Sequence, residues 1–356
     1  MEVPCGRFNT SYAQDMAIVR TKTQWLLLLA FLFVLFFVIP NFVPSVWLLR
    51  LCFAGVAIVA VQGLNIITGY TGQISLGHSA FVGIGAYTSA ILTTQLGLSF
   101  WLAVVVAGIT AGLISILIGL PSLRVKGFYL ALITIAFLYI FLWVIGPGFG
   151  LTSYPPSSPG MPSTIPYPSI GGFVFDSYFR MYFIIMGCVV LLTFFARNLA
   201  RSKVGRAFVA IRDDEIAAET MGISLLRYKL LAFFIGCFYA GIAGALLAHL
   251  QGKLDATPFS LQASISYLMM LVVGGMGSTL GPVAGGLFFT LLQGVVLFLG
   301  TKALSAFQGL GGGFVGSATL VVTGLAVVLF FIFEPKGMAN LWERFKVYYR
   351  RWPFSN

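Results

Sequence analysis

Asn65, Thr68, Tyr70, Thr71, Gln73, Ser75 and His78 crowd hydrogen-bonding side chains into one short stretch of an otherwise apolar chain, and Gly69, Gly72, Gly77, Gly83 and Gly85 punctuate it. Irregular polar backbone is tolerated at bilayer depth only where it is buried in protein or lines a wet cavity. The stretch therefore points to a translocation pathway, with Asn65, Gly69, Tyr70, Gly72, Gln73, Ser75, Gly77 and His78 as its candidate lining. An ionisable residue inside a membrane is a functional candidate by default. His78 can sense protons, contact a solute or hydrogen-bond a neighbouring helix, the last being the reading favoured for a lone histidine.

A second glycine cluster, Val272-Val-Gly-Gly-Met-Gly-Ser-Thr-Leu-Gly-Pro-Val-Ala-Gly-Gly, adds Gly274, Gly275 and Gly277 to the candidate pathway. Interruptions in the two halves of a transporter are the sequence pointer to its central site. The two clusters share no residue-level repeat. The competing reading is that these glycines only let helices approach closely, as small residues do in membrane interfaces.

Catalysis finds little support. No nucleophile–base pair or metal-ligand spacing occurs, and the two histidines, His78 and His249, lie far apart, which argues against a membrane enzyme acting on lipid. No acidic residue lies between Asp15 and Asp176, so the carboxylate relay of an ion-coupled carrier is missing from that half. Cys5, Cys52, Cys188 and Cys237 show no C-x-x-C spacing, so neither disulfides nor metal binding is expected.

The stretch from Arg201 to Ser224 is the other informative segment. Asp213 or Asp214 can cap a short helix, Glu215 suits its positive end, and Gly222 can end it in a left-handed cap. The helix would present Ile216, Ala217, Thr220 and Met221, either for docking into a soluble partner or merely to organise the loop. Arg206, Arg212, Asp213, Glu215, Ala217, Ala218, Met221 and Gly222 lie within this segment.

The elements that must position these residues follow from composition. The chain is 59% hydrophobic and 9% charged, with a mean hydropathy of +0.97. Soluble domains carry roughly 25% charged residues, so the expectation is an all-α polytopic membrane protein. A crossing needs roughly 20 apolar residues, and the apolar runs predict about ten transmembrane helices: 25–40, 46–62, 77–95, 100–120, 128–146, 178–196, 229–250, 264–278, 283–299 and 315–333. The first and eighth are short. Residues 25–333 form one permease domain between a segment at 1–24 and a tail at 334–356. Polar residues precede the first run and no A-x-A site follows it, so that run is expected to be retained.

The net charge of +11 raises nucleic acid as a partner, but no aromatic-interleaved basic groove accompanies it. Lys and Arg instead gather at Arg124–Lys126, in the loop 197–229 and in the tail, while the proline-rich loop 147–177 has none. The positive-inside rule then places both termini and the 197–229 coupling loop in the cytoplasm, and the 147–177 loop outside. That outer loop can be a lid, a docking platform or a stiff spacer.

Four blocks in order carry a resemblance: Gly63-Leu-Asn…Gly-Tyr-Thr-Gly-Gln-Ile-Ser-Leu-Gly-His-Ser-Ala-Phe, Phe128-Tyr-Leu-Ala-Leu-Ile-Thr, Ser202-Lys-Val-Gly-Arg-Ala…Ala-Ile-Arg-Asp…Ile-Ala-Ala-Glu-Thr-Met-Gly and Val273-Gly-Gly-Met-Gly-Ser…Gly-Pro. The chain resembles branched-chain amino-acid ABC importer permeases of the LivM type over roughly 63–333. The resemblance implies a bacterial inner-membrane subunit that moves branched-chain or related neutral amino acids inward by alternating access. It implies two cytoplasmic ABC ATPase subunits, a second homologous permease, a periplasmic substrate-binding protein and surrounding lipid as partners. ATP and Mg would be used by the ATPases, with no cofactor bound here, and no phosphate-binding G-x-x-x-x-G-K-[ST] loop occurs.

In that frame Arg206–Gly222 becomes the coupling segment, and the resemblance makes Arg206, Arg212, Asp213, Glu215, Ala217, Ala218, Met221 and Gly222 the candidate ATPase-coupling residues. Ala217, Ala218 and Gly222 fit the Glu-Ala-Ala…Gly pattern of such importers, while Ile216 stands where Glu would, leaving Glu215 or Glu219 to replace it. After Gly146 the chain reads Pro-Gly-Phe-Gly-Leu-Thr-Ser-Tyr-Pro-Pro, unlike the Thr-Gly-Gly…Gly-Leu-Ser-Gly-Ile-Pro segment common in the family. Urea and short-chain amide permeases share the scaffold and are the alternative, with an ion-coupled carrier behind them.

Overall fold

The computed structural model describes residues 22–122, 128–149, 153–154, 164–170, 173–306, 321–322, 324–330, 332, 334, 337–341 and 344. Two compact units divide at Leu48. In the first, helix α1 (Lys22–Phe33) passes through a π-helical turn at Val34–Val38 into α2 (Ile39–Phe42). Phe33 stacks on Phe37 with ring centroids 5.2 Å apart.

The second unit is helical, with α3 (Ser45–Leu64) entering it, then α4 (His78–Thr94), α5 (Phe100–Ser122), α6 (Phe128–Trp143), α7 (Tyr178–Arg201), α8 (Lys203–Asp213), α9 (Glu215–Thr220), α10 (Leu225–Gln251), α11 (Leu261–Gly274) and α12 (Gly281–Ala306). Among the described residues, strands are confined to two short antiparallel pairs. Ser153–Tyr154 (β1) pairs with Leu254–Asp255 (β4), and Ser169–Ile170 (β2) with Phe173–Val174 (β3).

Six helices among the described residues are long and apolar enough to cross a membrane: 45–70, 100–120, 129–146, 178–201, 225–251 and 281–298. Each falls on an expected span. The expected first and eighth spans coincide with the shorter apolar helices Leu28–Phe42 and Leu261–Gly274. The third is α4, which the break before His78 holds to 17 residues. The tenth lies only partly within the described residues, and Arg124–Lys126, residues 155–163 and most of the tail lie outside them.

The core is the trio α4, α5 and α10, which pack against one another more than any other elements do. Small residues make that possible. A methyl group at Gly85 would fall on the backbone of Gly241, and one at Gly244 on the carbonyl of Val82. Without a hydrophobic driving force between helices in lipid, backbone-to-backbone approach of this sort supplies the packing. Gly63 and Gly236 bring α3 onto α10 in the same manner.

Candidate functional site

Helix α3 does not end in a cap but widens into a π-helical turn, Asn65–Tyr70, whose residues are all buried. Single π turns inside longer helices recur at functional positions. Gly72, at φ +71°, then reverses the chain, and an extended run leads to Gly77, the N-cap of α4. Most of this backbone is buried, so its polar groups need protein partners.

They find them close at hand. Thr68 Oγ1 donates to the Gln73 carbonyl at 2.9 Å, and the Gln73 amide NH donates to the Ile67 carbonyl at 3.1 Å. Gln73 Nε2 donates to Thr71 Oγ1 at 3.2 Å. Further along, the Leu76 NH donates to Thr134 Oγ1 on α6 at 3.0 Å. Ser79 NH donates to Ser264 Oγ at 3.0 Å, and the Ser264 hydroxyl donates to Ser79 Oγ at 2.7 Å. The polar stretch is thus knitted to α6 and α11 rather than left open.

Asn65 joins the two glycine clusters. Its Oδ1 accepts from the Gly277 NH at 2.9 Å, and its Nδ2 donates to the Ser278 carbonyl at 2.8 Å. Gly69 makes room for this clamp. A Cβ there would fall on Asn65 Oδ1 and lie 2.6 Å from the Gly277 nitrogen. Gly275 (φ +108°) and Gly277 (φ +77°) form the turn between α11 and α12 that presents those backbone groups. A methyl group on Gly274 would fall on the Gly281 carbonyl, so this hairpin is closed tightly.

His78 is fully buried, with Nε2 2.9 Å from the Ala60 carbonyl on α3. A carbonyl only accepts, so Nε2 carries the hydrogen and Nδ1 is the bare nitrogen. The ring meets Tyr267 edge-on at 6.3 Å. Hydrogen bonding to a neighbouring helix, one of the three roles open to this residue, is what the geometry contains. Nδ1 and the Ser75 hydroxyl have no partner among the described residues. Tyr70 and Gln73 are also buried, as are Asn65, Gly69, Ser75, Gly77, Gly274 and Gly275, whereas Gly72 is exposed and Gly277 half-buried.

The 197–229 loop folds as two helices. Ser202 caps α8 by accepting from the Gly205 NH at 3.2 Å. Of the two aspartates suited to capping α9, it is Asp214 that does so: its Oδ1 accepts from Ile216 NH at 2.8 Å and Ala217 NH at 3.0 Å. Gly222, at φ +84°, ends the helix, with Gly222 NH donating to the Glu219 carbonyl and Ile223 NH to the Ala218 carbonyl. This pair of bonds is a Schellman cap. Ile216 and Met221 are 72% and 83% exposed, whereas Ala218 is buried.

Glu215 is ion-paired with Lys229 Nζ at 2.6 Å, leaving Glu219 as the exposed acid of this helix. Arg206 bonds the Arg201 carbonyl at 3.2 Å. Arg212 turns inward: Nη1 donates to the Gly69 carbonyl at 3.0 Å, while Nε and Nη2 both donate to Asp213 Oδ1 at 3.1 Å. Its stem lies beside Gly72 and its Nη1 beside Gly277.

Sequence reasoning missed Thr134, Ser264 and the role of His249. His249 Nδ1 donates to the Pro166 carbonyl at 2.8 Å, so Nε2 accepts from the Ser89 hydroxyl at 3.0 Å. The Ile165 NH donates to the Gly252 carbonyl at 2.7 Å. Together these tie the described part of the proline-rich loop to the end of α10. No local pattern announces a bond between residues so far apart in the chain.

A family described as branched-chain amino acid transport system / permease component matches residues 48–332. The chain is 31% identical over 304 residues to the high-affinity branched-chain amino acid transport system permease protein LivM of Escherichia coli (strain K12), covering 79% of this chain and 67% of that protein. It is 27% identical over 252 residues to the permease LivH of the same organism, covering 67% and 80% respectively. A probable LivH of Methanocaldococcus jannaschii is 23% identical over 305 residues, covering 83% of this chain and 92% of that protein. No solved structure matches the chain.

Proposed function

Because the chain belongs to the family of branched-chain amino acid transport permease components, we propose that it is the membrane subunit of an ATP-driven importer for branched-chain or related neutral amino acids. The observation that carries this reading is the family match across residues 48–332, which includes both glycine breaks and the loop between them. LivM and LivH relatives both align with it, which supports pairing with a second, homologous permease. Two ATPases on the cytoplasmic side and an external binding protein complete the assembly.

Ten crossings, counted from the apolar runs, satisfy the positive-inside rule with both termini in the cytoplasm. The docking helix is α9. Its exposed Ile216 and Met221 present apolar side chains where a soluble partner can cover them, and exposed apolar groups rimmed by charge mark interaction surfaces. The pathway runs along the two breaks, Asn65–His78 and Gly274–Gly277, and opens by alternating access as the ATPases close. Catalysis of ATP hydrolysis belongs to the partners, with Mg bound there.

The test is uptake of labelled leucine, other neutral amino acids, urea and short amides in a strain lacking the gene, with and without ATP depletion. Loss of ATP-dependent leucine uptake, restored by the gene, is the expected result. Intact leucine uptake with lost urea or amide uptake would move the substrate class. Uptake that ignores ATP but follows an ion gradient would overturn the mechanism.

A further inference from the structure

Arg212 lies in the last turn of α8, two residues before the cap of α9 and four before the exposed Ile216. Its side chain is 38% exposed, yet one edge of its guanidinium points inward. It reaches the Gly69 carbonyl at the end of the π turn, with Nη1 packed against Gly277 in the other break and the stem packed against Gly72. Both Gly72 and Gly277 hold positive φ, at +71° and +77°. They are turning points of the chain where side chains are poorly tolerated, and the absence of side chains is what lets the arginine lie there. On the outer edge Asp213 takes the remaining nitrogens on one oxygen, which orients the guanidinium.

We infer that Arg212 is the positioning residue through which movement of the α9 docking helix reaches the two glycine breaks. With Arg212 seated, Gly69 and Gly277 are held against each other beneath the Asn65 clamp. When a partner draws α9 away, the short rigid link Arg212–Asp213–Asp214 carries the guanidinium out with it. Asp214 anchors that link, because its carboxylate is bonded to the first turn of α9. The separation of the breaks then depends on α9 rather than on the solute alone. This inference rests on the importer reading above.

The experiment uses the whole importer in liposomes, comparing wild type, Arg212→Gln and Arg212→Lys. ATPase recovery on purification, ATP hydrolysis and solute moved per ATP are measured together. Arg212→Gln should keep its ATPases and hydrolyse ATP while solute moved per ATP falls about tenfold, within the usual range of coupling between two sites. Arg212→Lys, which keeps a cationic donor toward Gly69, should recover part of that ratio. An unchanged ratio in Arg212→Gln overturns the assignment. So does loss of the ATPases, which would make Arg212 part of the docking surface itself.

A second measurement does not depend on the variant folding. Met276 is exposed beside Gly277, so a Met276→Cys importer with Arg212 intact is labelled by a thiol reagent, with and without ATP and vanadate. Nucleotide trapping should change the labelling rate severalfold, and an unchanged rate overturns the inference. Wild-type uptake that ignores ATP would instead defeat the importer reading, a result the labelling and coupling ratios do not mimic.

Discussion

Asn65 holds the backbone of Gly277 from a position 212 residues earlier in the chain, accepting its NH with the same carboxamide that donates to Ser278. One side chain thereby makes the two glycine clusters a single structural unit. Asn65 itself is fully buried, while Gly277 and Ser278 are half-buried.

Removing that carboxamide is therefore costly. Asn65→Ala takes this partner from the half-buried Gly277 NH and Ser278 carbonyl, at about 1–3 kcal/mol in all. The thermal midpoint of the purified permease should drop by several degrees, and transport should fall with it. A thermal melt in detergent, set beside uptake in cells, checks both.

Gly69→Ala tests the space under the clamp. Its methyl would fall on Asn65 Oδ1, so the variant should lose transport even though alanine is the better helix former. Gly187→Ala is the matching control, because a methyl there meets nothing within 4 Å. In α7 that substitution should stabilise by up to about 1 kcal/mol and leave uptake unchanged. Equal behaviour of the two variants would show that the clamp does not depend on Gly69.

For the docking helix, Gly222→Pro removes a left-handed φ that proline cannot adopt, since its ring holds φ at about −65°. The variant should insert in the membrane but recover few ATPases on purification. Normal recovery with normal transport would refute the coupling role of 206–222.

Ile216→Asp and Met221→Asp should act without unfolding anything, because both side chains are exposed. An apolar anchor at the centre of an interface is worth more than about 1–2 kcal/mol. Recovery of the ATPases should fall about tenfold, the equivalent of 1.4 kcal/mol, while the melting of the isolated permease stays put. A shifted melt with unchanged recovery would place these residues in the fold rather than at an interface.

His249→Phe keeps the ring but removes both hydrogen bonds, to Ser89 and to Pro166. The outer loop should become more sensitive to limited proteolysis, with the transmembrane fragments intact. Unchanged cleavage would mean that the Ile165–Gly252 bond holds the loop alone.

These residues also show what a single sequence reveals. Long apolar runs announced the six full-length spans, because crossing a bilayer demands a minimum length of unbroken apolar helix. Gly222 and the pair of aspartates that could cap α9 were legible because caps are local and their residue types are few, while the structure picked Asp214. The break at Asn65–His78 stood out for the same reason: glycine and polar residues are conspicuous against hydrocarbon. Arg212 was legible only as a charge in a basic loop. Its bond to Gly69 spans 143 residues, and nothing near either residue signals the other. Ser79 with Ser264, Thr134 with Leu76, and His249 with Pro166 escaped for that reason too.

The glycine-mediated contacts within α4, α5 and α10 divide the labour of any conformational cycle. Where the Gly85 and Gly241 backbones touch, neither helix can roll or slide without collision. The trio is a stator. By contrast, side-chain hydrogen bonds join the π turn to the Gly275–Gly277 bend through Asn65 and to the α8–α9 arm through Arg212. A transporter built this way moves like a latch on a fixed frame, and its flexible parts can be tuned by single side chains without loosening the frame.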